Sequence, residues 1–377
     1  MVHIDYSQLA EKYGTPLYVY DSKQIEDNIR RIARSLNYRH STMYFAVMCN
    51  NHKNILSVIR RNGLGVQINS VHELQLVKKA GFKNSAISFT STGISTDLMK
   101  TLIREGIRIN LDSVEEVDKF CTLAQNRKFG VRIRIPKSIS ARSLQATNTN
   151  RHSHIGIEEK DFKSVLKMAD AARNSITGVH GYFASNVLEM TPFQHYAPYM
   201  CTMASSFPDL EYVNFGSGFG IPYAPGQKAF DIKKVLALYA LHVKALSHKY
   251  DRPIELIIEP GRTILADAGS LLVQITNIKR LNSNKYEIAI DAGYAELARP
   301  LLYGSYHAIT TVNTTHRQPV NYDIRGNTVL QNDFLGKNRM LEKVREGDYL
   351  LIRKVGAYGA VMASGFPGKE IPKQLFL

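Results

Sequence analysis

Apolar and polar positions along the chain follow two regimes. From about residue 43 to residue 259, short apolar runs recur, each closing on a polar or turn-forming residue, near Asn50, Asn69, Thr90, Asp112, Pro136, Ser185, Gly216 and Glu259. Their length suits buried strands. Stretches of helical period separate them, among them 72–80 and 161–173, and residues 22–36 place Ile25, Ile29 and Ile32 on one helical face. Eight strand-then-helix units in unbroken succession predict a closed (β/α)8 TIM barrel rather than an open doubly wound sheet. In such a barrel the chemistry sits at the C-terminal ends of the strands. Beyond Glu259 the rhythm becomes short alternating segments (270–281, 285–293, 322–330, 347–358) with turn signals between them, which predict an all-β domain of sandwich or barrel type. The alternating, aromatic segment 15–21 is expected to complete that domain. The expected division is therefore a barrel over 22–268 and a β domain from 1–21 plus 269–377.

Composition narrows the class. The chain has 377 residues, 44% of them hydrophobic, enough for a folded two-domain body. No run approaches the ~18 apolar residues of a membrane span, and the start lacks a charged-then-apolar leader, so a cytoplasmic protein is expected. Cys49, Cys121 and Cys201 fit neither a disulfide framework nor zinc spacing and are read as reduced thiols, with Cys49 as packing. The net charge of +15 is dispersed, without basic blocks or tryptophan. That pattern favours a solvated basic surface over a nucleic-acid site, and leaves an acidic carrier protein open as a partner. His152 and His154 lack carboxylates at ligand spacing and are read as loop residues, so no metal is expected.

Two clusters carry chemistry. Asn214–Gly220 (NFGSGFG) follows an apolar strand, and its glycines let backbone N–H groups approach an anion. Glu259-Pro-Gly-Arg262 ends the last barrel strand and sets a carboxylate and a guanidinium across a tight turn. With Met43–Asn50 (MYFAVMCN), YGTPLYVYD, NSVHELQLVKKAGF, INLDSVEEV, SHIGI, DAGYAELARPLLYGSYH, GDYLL and GAYG, these motifs resemble, in order and spacing over nearly the whole chain, the fold-type III pyridoxal-phosphate decarboxylases acting on diaminopimelate and ornithine. The resemblance implies an alanine racemase-like barrel and a head-to-tail homodimer whose β domain contributes to interface and site. It also implies pyridoxal 5'-phosphate as cofactor. Glu259 would face the pyridine nitrogen, and Ser185, Ser217, Gly218, Gly261, Arg262 and Tyr358 would hold the phosphate. Arg299 and Tyr303 would grip a substrate carboxylate, a task suited to arginine.

The departures from the family pattern are grouped. Met48 stands at the position of the lysine that tethers the cofactor, and a thioether cannot condense with an aldehyde. Gln67 replaces an acid, Tyr182 the histidine that stacks on the cofactor ring, Val329 the proton-donating cysteine and Leu330 the substrate-facing acid; Asp333 survives in that last loop. One engineered change would account for Met48 alone, so natural divergence is the reading. Met48, Tyr182 and Asp333 are thus the positions to watch for chemistry, with Lys53 the nearest amine in sequence. The expected function is an amino-acid carboxy-lyase ancestry with a lysine-free site that binds pyridoxal phosphate, or its imine with a small amino-acid-like substrate, noncovalently. The alternatives are an inactive homologue acting as a regulatory partner, and an enzyme using the phosphate cradle for another phosphorylated or carrier-bound ligand.

Overall fold

The computed structural model describes residues 4–139, 155–228, 230–283, 285–312 and 318–377; His152 and His154 lie outside them. The chain opens with α1 (Tyr6–Tyr13), β1 (Leu17–Tyr20) and α2 (Ser22–Ser35). Eight strands then form a closed, all-parallel barrel: β2 (Ser41–Ala46), β3 (Gly65–Ile68), β4 (Ile87–Thr90), β5 (Arg108–Leu111), β6 (Lys128–Arg132), β7 (Ser175–His180), β8 (Tyr212–Asn214) and β9 (Glu255–Ile258). Pairing of Ser41 with Leu256 closes the circuit. The first seven strands are each followed by a helix: α3 (Lys53–Arg61), α4 (Val71–Lys79), α5 (Thr96–Glu105), α6 (Val114–Leu123), α7 (Phe162–Ala171), α8 (Thr191–Ala204) and α9 (Ile232–Lys249). The expected barrel is present.

Large aromatic residues fill the barrel where small ones leave room. A Cβ on Gly178 would lie 1.8 Å from the Tyr212 ring, so glycine there is a packing requirement. The Tyr212 hydroxyl donates to Asn110 Oδ1 at 2.7 Å, and Asn110 donates to Thr90 Oγ1 at 2.9 Å. Arg108, whose guanidinium lies 4.7 Å from the Tyr212 ring and 5.6 Å from that of Tyr44, pairs with Glu255 at 3.2 Å. These contacts link the polar groups inside the barrel into a network that fixes the packing.

The remaining elements form a mixed sheet: β10 (Gly269–Asn282), β11 (Lys285–Ile290), β12 (Ile309–Thr311), β13 (Pro319–Arg325), β14 (Phe334–Glu342), β15 (Tyr349–Arg353) and β16 (Lys373–Phe376), with short helices α10 (Arg262–Leu265) and α11 (Arg299–Tyr303). The order is β12-β15-β10-β11-β13-β14. As expected, β1 joins this sheet, antiparallel to β10 and parallel to β16.

The chain divides into two compact units, 27–221 with 228–261, and 1–26 with 222–227 and 262–377. This differs from the division expected at 22–268. The 222–227 segment and the stretch from Arg262 join the β unit, because Tyr223 and Arg262 bond to each other and to that unit's residues. No helix among the described residues is long and apolar enough to cross a membrane.

Candidate cofactor site

In the barrel unit, candidate residues collect at the C-terminal ends of β7, β8 and β9. Glu259, one residue past β9, is buried. His180 Nε2 lies 3.2 Å from one of its carboxylate oxygens, and Asn214 Nδ2 donates to the other at 2.6 Å. Burial pushes the Glu259 carboxyl up, but the His180 imidazole, the Asn214 amide and the Arg132 guanidinium outweigh it, so the group sits below its ordinary range and is ionised near neutrality. The Asn214 side chain also accepts from Gly216 N–H at 2.9 Å, and Glu259 N–H donates to Gly216 O at 2.7 Å, which ties the glycine-rich loop to the carboxylate.

That loop is laced to the loop after β7. Val187 N–H donates to Gly218 O at 2.8 Å and Gly220 N–H to Val187 O at 2.9 Å. Gly218 has φ +89°, and a Cβ on it would lie 2.9 Å from Ala184 O. Ser185 is therefore carried on the segment against which Gly218 packs, with Ser217 half-buried beside it. Gly261 has a different reason to be glycine: a side chain there would meet Cys49 Sγ at 2.8 Å. Cys49 packs, as expected.

The altered positions have equally definite settings. Met48 lies not on the strand but in the 3-10 turn Val47–Cys49 that follows β2, and is 49% exposed. Lys53 is exposed at the first residue of α3. Gln67 is buried, and its amide donates to Ile68 O at 3.1 Å and Thr90 O at 3.4 Å. A carboxylate would turn its charge against those carbonyls, so the amide suits this pocket. Tyr182 is half-buried with the Arg132 guanidinium 5.8 Å from its ring. Arg132 is ion-paired with Asp112 at 3.1 Å, and its Nε is buried without a hydrogen-bond partner among the described residues.

An ionised carboxylate stabilises a pyridoxal group protonated at its ring nitrogen, and uncommitted polar atoms can hold the group's other substituents. The barrel unit offers both, since Glu259 is held ionised and His180 Nδ1 is buried with no partner among the described residues. It offers no amine at position 48. The residues fit a noncovalently held pyridoxal group.

The β unit carries the second set. Arg262 is buried, donates to the Tyr223 hydroxyl at 2.9 Å, and has its guanidinium 4.9 Å from the Tyr358 ring. Tyr358 adopts φ +59°, a rare conformation for a bulky side chain. Arg299 and Tyr303, expected to act together, do not share a setting: Arg299 is 2% exposed and stacked 4.6 Å from the Tyr223 ring, whereas Tyr303 is 42% exposed. Asp333 is fully buried and braces its own loop, accepting from Tyr294 N–H at 2.8 Å, Thr328 N–H at 3.2 Å and Thr328 Oγ1 at 2.5 Å. Its oxygens are thus engaged by Tyr294 N–H and by donors of the turn itself. Val329, at the tip of that loop, is 82% exposed.

Sequence reasoning missed His180, Arg132, Tyr223 and His307. Of these, His180 was signalled, because it heads the segment His180-Gly-Tyr182 that ends at Ser185. His307 closes the DAGYAELARPLLYGSYH motif without standing out in it, and Arg132 and Tyr223 lie in none of the motifs.

The model of the pyridoxal binding domain of pyridoxal-dependent decarboxylases matches residues 22–266. Among curated proteins, the chain is 29% identical to the diaminopimelate decarboxylase of Methanothermobacter thermautotrophicus, over 99% of this chain and 89% of that one. It is 30% identical to the diaminopimelate decarboxylase of Bacteroides thetaiotaomicron, over 95% and 94%. Among solved structures, diaminopimelate decarboxylase from Helicobacter pylori complexed with L-lysine superposes with a TM-score of 0.89 at 26% identity, covering 99% of this chain and 94% of that one.

Proposed function

We propose that this chain, which belongs to the pyridoxal-dependent decarboxylase family, is an amino-acid decarboxylase-type protein that binds pyridoxal 5'-phosphate without a covalent anchor. The observation that carries the reading is the buried carboxyl of Glu259, gripped by His180 and Asn214 at the end of the last barrel strand, in a chain with methionine at position 48. When bound, pyridoxal phosphate supplies an electron sink for the pair left behind as carbon dioxide departs.

This chain's residues do the rest. Glu259 holds a proton on the ring nitrogen, because an ionised carboxylate stabilises the positive charge there. Tyr182 offers a stacking face but no imidazole to move protons near neutral pH. Ser185, Ser217 and Gly218 in the barrel unit, and Arg262 with Tyr358 in the β unit, are each proposed as phosphate ligands from their match to the family's motifs. The substrate class proposed is a small diamino acid of the diaminopimelate type, and the assembly a cytoplasmic homodimer, tested by sedimentation equilibrium. A noncatalytic regulatory role is the second reading, favoured by the absence of an amine at position 48 and by exposed Val329 at the loop where a proton donor is expected.

The test is a titration of purified protein with pyridoxal phosphate, followed by absorbance and then by intact mass after borohydride, beside Glu259→Ala and Arg262→Ala. Saturable binding weakened in both variants, with no mass adduct, supports the proposal. A borohydride adduct would show that another lysine serves, Lys53 being the first to replace. Absence of binding would sink it. Release of carbon dioxide from diaminopimelate, lysine or ornithine separates the enzyme from the regulatory partner.

A further inference from the structure

Tyr223 has no role assigned by its sequence, yet two buried guanidiniums of the β unit meet at its ring. Arg262 donates to the hydroxyl at 2.9 Å with its guanidinium 5.8 Å from the ring centre, and Arg299 stacks at 4.6 Å. The ring also meets His307 edge-on, at 5.3 Å and 73°. His307 is fully buried; its Nδ1–H donates to Arg353 O at 3.0 Å, which leaves the Nε2 lone pair facing Arg299 Nη1 at 3.4 Å. Burial and the two neighbouring guanidiniums lower the His307 pKa to about 3, so the imidazole stays a neutral acceptor. Arg299 donates further to Ser305 Oγ at 3.4 Å and forms no ion pair among the described residues.

Two like charges beside one phenol repel each other, and each is costly to bury. An arriving anion would relieve that repulsion and meet donors already oriented.

We propose that Tyr223 is a positioning residue: its hydroxyl aims the Arg262 guanidinium at an anionic ligand group, while His307 holds Arg299 against the same ring. This rests on the reading that Arg262 receives the cofactor phosphate. The effect of the hydroxyl through Arg262 belongs to the phosphate and not to the pyridine ring.

The experiment compares wild type, Tyr223→Phe, Arg262→Ala and the double variant for affinity toward pyridoxal phosphate and toward pyridoxal, with the melting shift given by inorganic phosphate as an independent probe. Tyr223→Phe keeps the ring and is expected to weaken pyridoxal phosphate about tenfold, the worth of one hydrogen bond to a charged group, with pyridoxal unchanged. In the Arg262→Ala background the same substitution is expected to change neither ligand. Equal losses for both ligands, no loss for either, or an undiminished effect without Arg262 would overturn the positioning role. If wild type binds no pyridoxal phosphate, the cofactor reading falls on its own. The positioning role then stands if inorganic phosphate raises the wild-type melting temperature but not that of Tyr223→Phe, and falls if the two respond alike.

Discussion

Position 48 isolates what a single side chain contributes. Met48 is half exposed on a 3-10 turn, so a lysine of similar length fits without repacking, and Met48→Lys is expected to alter stability by about 0.5 kcal/mol or less. The added amine should leave a borohydride-fixed pyridoxal adduct by intact mass that wild type lacks. If Met48→Lys gives no adduct while binding the cofactor, the assignment of position 48 to the tether is wrong. Four residues after Met48, His52 offers a titratable counterpart. Its Nδ1 accepts from Asn54 N–H at 3.2 Å as the N-cap of α3, and burial together with Lys53 lowers its pKa. A histidine whose folded pKa is depressed costs nothing while both states are neutral. As pH falls below the ordinary histidine value of about 6.5, the unfolded chain takes the proton first and the folded state loses stability, until its own lower pKa is passed. The urea midpoint should therefore drop from pH 7 toward pH 5, with buried His307 contributing to the same fall, and His52→Asn, which caps without titrating, should lessen that dependence. An unchanged slope in His52→Asn would remove the cap from the account.

At the scale of elements, two barrel helices begin in the same way. Ser113 Oγ accepts from Glu116 N–H at 3.2 Å at the start of α6, and Ser70 Oγ from Glu73 N–H at 3.1 Å at the start of α4. Each is a capping box in which the glutamate reaches back past the cap. Glu116 accepts from Asp112 N–H and from Ile94 N–H, both at 2.8 Å, and so sews the end of β5 to the loop before α5. Ser113→Ala is expected to cost about 1 kcal/mol. Glu116→Ala should cost more, about 1–3 kcal/mol, because it strands buried N–H groups; urea midpoints for the pair check the order. All eight barrel strands were legible in the sequence. Strand ends were not: runs expected to reach Asn50, Pro136 and Ser185 leave the ladder at Ala46, Arg132 and His180. The apolar residues beyond, such as Val47, Ile135 and Phe183, are buried in loops rather than paired, so hydrophobicity outlasts hydrogen bonding. Helix α1 was missed because Tyr6, Leu9 and Tyr13 are only partly buried against a core of Leu17, Val19, Leu272 and Leu351 that comes from distant sequence. The site divided likewise. Glu259 and Arg262 announce themselves in one motif, whereas Tyr223 and His307 acquire meaning only when the fold sets them beside Arg262 and Arg299.

For the molecule as a whole, the decisive property is how it exchanges its cofactor. A tethered cofactor resists dilution, while one held only by ion pairs, hydrogen bonds and stacking leaves as the free concentration falls below Kd. Ligand that binds the folded state alone stabilises it by RT ln(1 + [L]/Kd), about 2.7 kcal/mol at a hundredfold excess over Kd. Pyridoxal phosphate should therefore raise the melting temperature in a concentration-dependent way, and gel filtration without denaturant or competing amine should return both absorbance and melting temperature to their starting values. The net charge of +15 adds a long-range attraction for this anion, so Kd should rise with salt. Met48→Lys, run in parallel, should keep its absorbance through the column. Retention of the cofactor by wild type after exhaustive filtration would mean that the noncovalent contacts do not set the exchange, and would return attention to Lys53 and the other lysines as anchors.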